Sequence, residues 1–386
     1  MAQLSRPLLP LLRDLHIILP EFPHEEADAV ESRQPQALLF VGPALRTFRF
    51  APRLKKVTAA FCTQLPKLSP FLEELELSID TAIEPSALAV AEMLTHLPAL
   101  RVLDIQVLAS SHDIDAILSA LAVHRRLEKL QIRGMDLTSS HFVPARHGGF
   151  ASLRQVTSVS CPGISLFLNS LSPTSECTYI QVTDAYMSPN TVAEFFHLAG
   201  TFKGLKSLIL ESYGDDSEVP SIETLGPLRL CSMLETLSIV LLPRINIHDN
   251  DLEMLLSHLP RLIGFTFGCA WQRGSAKRPN LTLRALAIVA TSCPMIQFIS
   301  INLDASKNAD HPVVYRPTRL GRIDVQGSYI EDIEAVVRFL ARLPASGSLK
   351  LQYSDMMNNY REQWKAVGAC LSFFQVARDR RGLSGR

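Results

Sequence analysis

Two histidine-containing segments have residue types that metal or hydrolytic chemistry uses. His141 and His147 flank five residues and are followed by two glycines, while residues 248–251 read His-Asp-Asn-Asp. A zinc site needs three or four ligands, and the spacing around His141 and His147 supplies only two. The polar residues that start at His248 stand where a helix is predicted to begin. We therefore interpret the first segment as a loop and the second as a helix cap.

The cysteines are the candidates for nucleophilic chemistry. The closest two in sequence, Cys161 and Cys177, are 16 residues apart, so no Cys-x-x-Cys pair exists for zinc or redox exchange. None lies in a recognisable nucleophile motif with a histidine base. We predict reduced thiols that fill core space in an intracellular protein, cytoplasmic or nuclear. The seven are Cys62, Cys161, Cys177, Cys231, Cys269, Cys293 and Cys370.

Short motifs for phosphate, nucleotide, serine-hydrolase and zinc-protease chemistry do not occur in the sequence. Composition excludes further classes. Lys+Arg and Asp+Glu both total 38, which gives no excess of positive charge for nucleic acid. Apolar stretches are far shorter than the roughly 18 residues that a membrane span needs. We predict a non-enzymatic protein with no cofactor, no metal ion and no nucleic-acid or membrane partner.

A short aliphatic phrase that recurs along the chain determines the predicted fold. It consists of an aliphatic residue, two mostly polar residues, an aliphatic, one variable residue and another aliphatic, as in residues 72–77 (LEELEL). From Leu72 onward the phrases start 24 to 34 residues apart, and about thirteen copies can be counted. They start at Leu12, Leu45, Leu72, Leu100, Leu127, Leu153, Cys177, Leu205, Leu234, Leu262, Ile296, Leu320 and Leu349.

The phrase resembles the leucine-rich repeat in its long, helix-bearing form. Its alternation predicts a strand buried on one face, and the residues between phrases carry helical periodicity, for example over 113–122 and 331–340. Strands need about 4.8 Å of width and helices about 10 Å, so a stack of such units curves with its strands inside. We predict an α/β leucine-rich-repeat solenoid, a horseshoe with a concave parallel sheet and helices on the convex side.

The predicted organisation is a single solenoid over residues 1–369, followed by a flexible basic tail over 370–386. Trp364 is predicted to cover the apolar end of the last repeat, because terminal repeats need a cap. The tail carries Arg378, Arg380, Arg381 and Arg386. We expect the chain to be a monomer.

The concave face is the predicted binding surface. In each strand the residues before and between the last two aliphatics point away from the helices. Early repeats place charges there and middle repeats place hydroxyl and amide groups, which suits a protein partner. The candidate contact residues are Glu74, Glu76, Asp104, Lys129, Gln131, Gln155, Tyr179, Gln181, Thr236, Arg322 and Asp324.

The irregular spacing and the His-Leu-Pro-x-Leu phrase before Leu100 and Leu262 narrow the resemblance. Together with the sequences of residues 10–17 and 38–46, near the start of the chain, these features make the chain similar to the repeat region of fungal F-box proteins with leucine-rich repeats. That resemblance implies a substrate receptor of an SCF-type ubiquitin ligase, whose F-box docks on a Skp-type adaptor.

The helical F-box segment is not evident in this sequence, because the first strand phrase already begins at Leu12. Two explanations stay open. Either an F-box lies upstream of Met1 in a longer protein, or the protein works without the adaptor. The alternative function is a freestanding leucine-rich-repeat regulator or inhibitor of an intracellular enzyme or GTPase.

Overall fold

A computed structural model describes most of the chain, which divides into two compact units, Met1–Tyr186 and Met187–Arg386. The prediction of one solenoid over residues 1–369 stays a prediction. The described residues are 7–17, 38–50, 59–79, 87–107, 114–135, 137, 149–161, 163–171, 176–213, 221–242, 246–268, 278–307, 318–343, 349–353 and 360–383.

The first unit alternates strands with helices. Each strand pairs in parallel with the strands that precede and follow it in sequence. Its strands are β1 (Asp14–Ile17), β2 (Thr47–Phe50), β3 (Glu74–Ile79), β4 (Val102–Val107), β5 (Lys129–Arg133), β6 (Gln155–Val159) and β7 (Tyr179–Tyr186). Its helices are α1 (Ala59–Leu68), α2 (Ala87–Thr95), α3 (Ile114–Ala122) and α4 (Ile164–Ser170), preceded by a 3₁₀ turn at Leu38–Phe40.

The second unit repeats this arrangement with six parallel strands. Its strands are β8 (Ser207–Tyr213), β9 (Thr236–Leu242), β10 (Gly264–Gly268), β11 (Phe298–Ile301), β12 (Arg322–Asp324) and β13 (Lys350–Gln352). Its helices are α5 (Pro189–Thr201), α6 (Ile222–Leu225), α7 (Asp249–Leu256), α8 (Leu283–Ser292), α9 (Ile333–Arg342) and α10 (Arg361–Leu383), with a 3₁₀ turn at Gly226–Leu230.

Parallel strands that pair only with their sequence neighbours, each followed by a helix or turn, are the architecture of a leucine-rich-repeat solenoid. The predicted α/β fold class is therefore confirmed. The register places the first strand aliphatic of one repeat opposite that of the next, as Leu75 faces Leu103 and Leu103 faces Leu130. These side chains are at most 1% exposed, and burial of a leucine stabilises a fold by about 1.5–3 kcal/mol.

One buried polar group of the second unit is bonded to the next repeat. The buried Asp249 carboxylate accepts the backbone N–H of Thr282 at 2.9 Å and its hydroxyl at 2.6 Å. The cap predicted at this helix is confirmed, since Asp251 accepts the backbone N–H of His248 at 2.9 Å. The sequence pattern assigns both aspartates to capping. Asp249 instead fastens α7 to the start of α8.

The last repeat is closed by α10. Trp364 is fully buried, and its indole N–H donates to the carbonyl oxygen of Ser328 at 2.9 Å. The predicted covering role of Trp364 is thus confirmed. The helix continues to Leu383, so the boundary expected at residue 370 lies inside it, and the predicted flexibility of residues 370–386 stays a prediction.

Gly134, just after β5, occupies a backbone conformation that disfavours any side chain. Its φ is +69°, and a Cβ built there would come within 2.5 Å of the carbonyl oxygen of Val107. We expect Gly134→Ala to lower the free energy of unfolding by about 2 kcal/mol, because strain and a backbone clash add. Gly204→Ala, where a Cβ meets nothing within 4 Å, is the control. Equal denaturation midpoints for both variants would contradict this.

Candidate protein-interaction face

The open face is the surface formed by strand side chains that alternate with the buried aliphatics. In the first unit its two main rows run across the strands in register. All predicted contact residues of this unit lie in these rows. The first row is Asp14, Thr47, Glu74, Val102, Lys129, Gln155 and Tyr179, and the second is His16, Arg49, Glu76, Asp104, Gln131, Thr157 and Gln181.

Some charges on this face are neutralised within the sheet. Arg49 pairs with Glu74 at 3.3 Å, and Arg133 pairs with Asp104 at 2.5 Å. Burial raises the pKa of the Asp104 carboxyl, and the attraction of Arg133 only partly opposes that rise. When the Gln131 amide is oriented with its oxygen toward Arg133, that oxygen accepts hydrogen bonds at 2.8 Å. The charges and hydrogen-bonding groups of these side chains are therefore paired with one another within the sheet.

Glu76 and Lys129 differ from these pairs. Neither side chain has an ionic partner in the part of the chain that the structure describes. Lys129 is exposed and Glu76 is half-buried. Asp14, exposed at the start of the first row, likewise has no ionic partner among the described residues, so these three charges of the open face are available to a second molecule.

The far side of the first unit is neutral. Tyr179 donates its hydroxyl to the amide oxygen of Gln181 at 2.5 Å, and partial burial raises the pKa of Tyr179. Gln155 lies beside Tyr179 in the first row and is also half-buried. This end presents an aromatic ring and amides, groups suited to hydrogen bonds with a peptide backbone.

In the second unit the open face holds the remaining predicted residues. The first row is Ser207, Thr236, Gly264, Phe298, Arg322 and Lys350, and the second is Ile209, Ser238, Thr266, Ser300, Asp324 and Gln352. The Arg322 guanidinium lies 4.6 Å from the centre of the Phe298 ring. Asp324 accepts the Ser300 hydroxyl at 3.4 Å and the Gln326 backbone N–H at 3.0 Å.

A ladder of alternating charge at the edge of the first unit was missed by sequence reasoning. Arg101 donates to both oxygens of Glu128 at 3.1 Å and approaches Glu73 at 3.7 Å, while Arg46 reaches Glu73 at 3.5 Å. Hydrogen bonding to Arg101 lowers the pKa of Glu128. The signal was present: the residue after the first leucine of successive repeats alternates in sign. Because these pairs are exposed, they favour the correct register more than they add stability.

The buried cysteine thiols are not activated for catalysis. Burial raises the pKa of Cys62 and Cys293 to about 12 and of Cys177 and Cys231 to about 11, so these thiols are protonated at neutral pH. Together with Cys161, they are buried, unpaired thiols as predicted from sequence. The prediction that Cys370 also fills core space is wrong, because this residue is exposed on α10. Cys269, His141 and His147 lie outside the described residues.

The described residues contain no cluster of metal ligands. Among them, no three His, Cys, Asp or Glu side chains are grouped so as to hold a metal ion. None of the helices in the described ranges has the length and apolar character required to cross a membrane.

No family model matches the chain, and no curated protein matches it. Among solved structures, it is similar to one described as the crystal structure of a Rad7 and Elc1 complex in yeast. The identity is 15% and the TM-score 0.48, over 86% of this chain and 83% of the other. At this level of similarity, function and partners must be argued from the residues of the chain itself.

His124 should make the stability of the first unit depend on pH. It is 5% exposed, one ring nitrogen bonds the Leu94 carbonyl, and Nε2 has no hydrogen-bond partner among the described groups. Burial lowers the pKa of His124, so the unfolded chain binds a proton more readily than the fold. Its contribution is complete above the unfolded pKa of about 6.5 and falls on acidification.

We expect the free energy of unfolding to fall below pH 6.5 by at most about 1.4 kcal/mol per pH unit through this group, the slope for one proton. His124→Gln keeps a donor for Leu94 and should flatten the profile, whereas the exposed His258→Gln should not. Denaturant melts at pH 5 and pH 7 measure both. An unaltered profile in His124→Gln would show that other groups control the acid sensitivity.

Proposed function

We propose that the chain is a non-enzymatic protein-binding scaffold whose contact surface is the open face. The observation that carries this proposal is the presence of uncompensated charge on a regular sheet. Glu76 and Lys129 in the first unit, and Arg322 and Lys350 in the second, have no ionic partner among the described residues. Each projects from a strand whose opposite face is fixed in the core.

Such an arrangement suits recognition because little conformational entropy is lost on binding. The strands that carry Glu76, Lys129 and Arg322 pair on both sides, and β13, which carries Lys350, pairs with β12, so these side chains start from defined positions. Repeat proteins use extended surfaces of this kind to bind other macromolecules. Unpaired charges at fixed spacing select a complementary partner and speed its association.

Two observations support a non-catalytic role. The ion pairs of this face in the first unit, Arg49 with Glu74 and Arg133 with Asp104, are of opposite sign, whereas Glu76 faces Asp104 across the strands and adds to the rise in its pKa. Catalytic acid–base pairs instead combine groups whose environments drive their pKa values apart toward neutrality. The buried cysteines, whose thiols are protonated, lack the activation that a nucleophile needs.

For the biological setting we propose substrate recognition in an SCF-type ubiquitin ligase, in an intracellular compartment and as a monomer. This rests on the resemblance of the sequence to fungal F-box proteins with leucine-rich repeats. A Skp-type adaptor would bind only through an F-box upstream of these repeats. The second candidate is a freestanding regulator or inhibitor of an intracellular enzyme or GTPase, with no role in ubiquitination.

Charge reversal tests the open face. Glu76→Lys and Lys129→Glu should each weaken binding of the native protein partner by about tenfold at low salt, because each replaces an attraction with a repulsion. Glu74→Lys should also weaken binding, with the added effect that it breaks the pair with Arg49. The affinity of the purified complex, measured by calorimetry, reports the change.

The control is Glu235→Lys, which reverses an exposed charge at the sheet edge outside the two open-face rows. Unchanged affinity in Glu76→Lys and Lys129→Glu, with the fold intact by circular dichroism, would exclude the open face of the first unit as the contact surface.

The ubiquitin setting has a separate test. The protein expressed from its own gene at native level should co-purify with a Skp-type adaptor and a cullin. Recovery of a stable one-to-one complex with an enzyme or GTPase, without adaptor or cullin, would instead establish the freestanding regulator. Mass spectrometry of the cross-linked complex distinguishes these outcomes.

A further inference from the structure

The second unit carries a gap in its open face at Gly264. In the first row Gly264 stands between Thr236 on β9 and Phe298 on β11. A Cβ built on Gly264 would meet only Thr236, whose methyl and hydroxyl lie 3.8 and 3.9 Å away. Adjacent strands are about 4.8 Å apart, so the missing side chain leaves a slot about two strand spacings wide between Thr236 and the Phe298 ring.

Farther along β10, on the same face, the strand is covered by a side chain from another repeat. On β10 the next glycine, Gly268, is covered by Gln326, and a methyl group built there would collide with the Gln326 amide. Gln326 also donates to the hydroxyl of Ser300 at 2.8 Å. The two glycines of β10 therefore differ: the space above Gly268 is filled and the space above Gly264 is empty.

Two positive charges lie beyond Phe298 in the first row. Arg322 and Lys350 are direct neighbours in the first row, and both are exposed. Neither has a carboxylate partner in the described part of the chain. The Arg322 guanidinium rests on the Phe298 ring, where the quadrupole of the ring holds it without neutralising it. An aromatic wall and two cations thus stand side by side.

We propose that this surface, the Gly264 slot (Thr236, Gly264, Phe298, Arg322 and Lys350), binds an acidic, extended segment of the protein partner. An Asp or Glu carboxylate of that segment bonds Arg322 and Lys350, and a neighbouring apolar or aromatic side chain enters the space above Gly264 against Phe298. The inference rests on the proposed function and specifies the chemistry of its ligand.

The charge balance favours a carboxylate over a phosphate. Asp324 lies two residues from Arg322 on the same face, where it opposes a second negative charge. The two cations and Asp324 together leave a single net positive charge, which matches a monoanion. Phosphate recognition uses several convergent Arg donors, whereas here one Arg is held on an aromatic ring.

The hydroxyl groups of the second row extend the complementarity. Ser238 and Thr266 lie on β9 and β10 directly beside the slot, and both are half-buried. Hydroxyls accept and donate, so they can bond the backbone of an extended peptide without demanding a particular sequence. The selective elements are therefore the slot and the two cations.

The test uses three fluorescein-labelled peptides of equal length and the full chain. The first alternates glutamate with phenylalanine, the second replaces each glutamate by glutamine, and the third replaces one glutamate by phosphoserine. Fluorescence anisotropy should show binding of the glutamate peptide that weakens with added salt. The glutamine peptide should bind about tenfold more weakly, because it lacks the charge.

Two variants and a matched control locate the site. Arg322→Glu combined with Lys350→Glu should reduce affinity for the glutamate peptide at least about tenfold. Gly264→Val should do the same by filling the slot, since valine suits a strand. Gly204→Val, on a turn where a Cβ meets nothing within 4 Å, should leave affinity unchanged.

Several outcomes would overturn the inference. Equal binding of the glutamate and glutamine peptides would contradict an acidic ligand. Full affinity in both slot variants would show that the peptide does not bind at the slot. At least tenfold tighter binding of the phosphoserine peptide replaces the carboxylate with a phosphate.

The two levels of proposal fail separately. If the slot variants leave affinity for the native partner intact while Glu76→Lys and Lys129→Glu weaken it, the scaffold function stands and the proposed slot is wrong. If neither set affects that affinity, the open-face function itself is lost.

Discussion

In-register parallel pairing is the constraint on which both units of this protein depend. Each strand sets the position of the next, because a shift of one residue would turn the aliphatics outward and the polar side chains inward. The pairs Leu75–Leu103 and Leu103–Leu130 show how the same position recurs in successive repeats. Every feature of the open face inherits its spacing from this register.

The register also explains how charged residues are tolerated on a sheet. Like charges directly opposite each other on adjacent strands destabilise the pairing. In the first unit Glu73 lies between Arg46 and Arg101, and Glu128 accepts two hydrogen bonds from Arg101. Alternation of sign along the stack turns potential repulsion into a preference for the native alignment. Glu76 and Lys129 have no ion pair among the described residues, so their charges can attract a binding partner.

The fold could be predicted from sequence because its signal is repeated many times. Even weak copies of the phrase, such as those at Cys177 and Leu349, are followed by strands. The burial of Trp364 can be predicted as well, because the apolar end of the last repeat needs a cap and Trp364 lies where it can supply one. Local periodicity is enough for these features, since each depends on neighbours within one or two repeats.

The properties of the site were harder to predict because they depend on contacts between repeats. Spacing places Glu74 and Glu76 on the same face, yet only the structure shows Arg49 pairing with Glu74. Asp249 resembles a simple cap in sequence, whereas its bonds go to Thr282, 33 residues away. The sequence shows only that β10 has a glycine at position 264. The slot above it becomes apparent once the structure places Thr236 and Phe298 on either side. The positions of the open face are therefore available from sequence, whereas their pairing is not.

The buried cysteines can serve as probes of local unfolding. Cys62, Cys177, Cys231 and Cys293 lie in different repeats, and each is shielded and protonated while its repeat is closed. Cys370 is exposed on α10. A thiol reagent should label Cys370 at once and reach the four others only as each stretch of the stack loosens. Alkylation at each position would then report which part of the chain opens first.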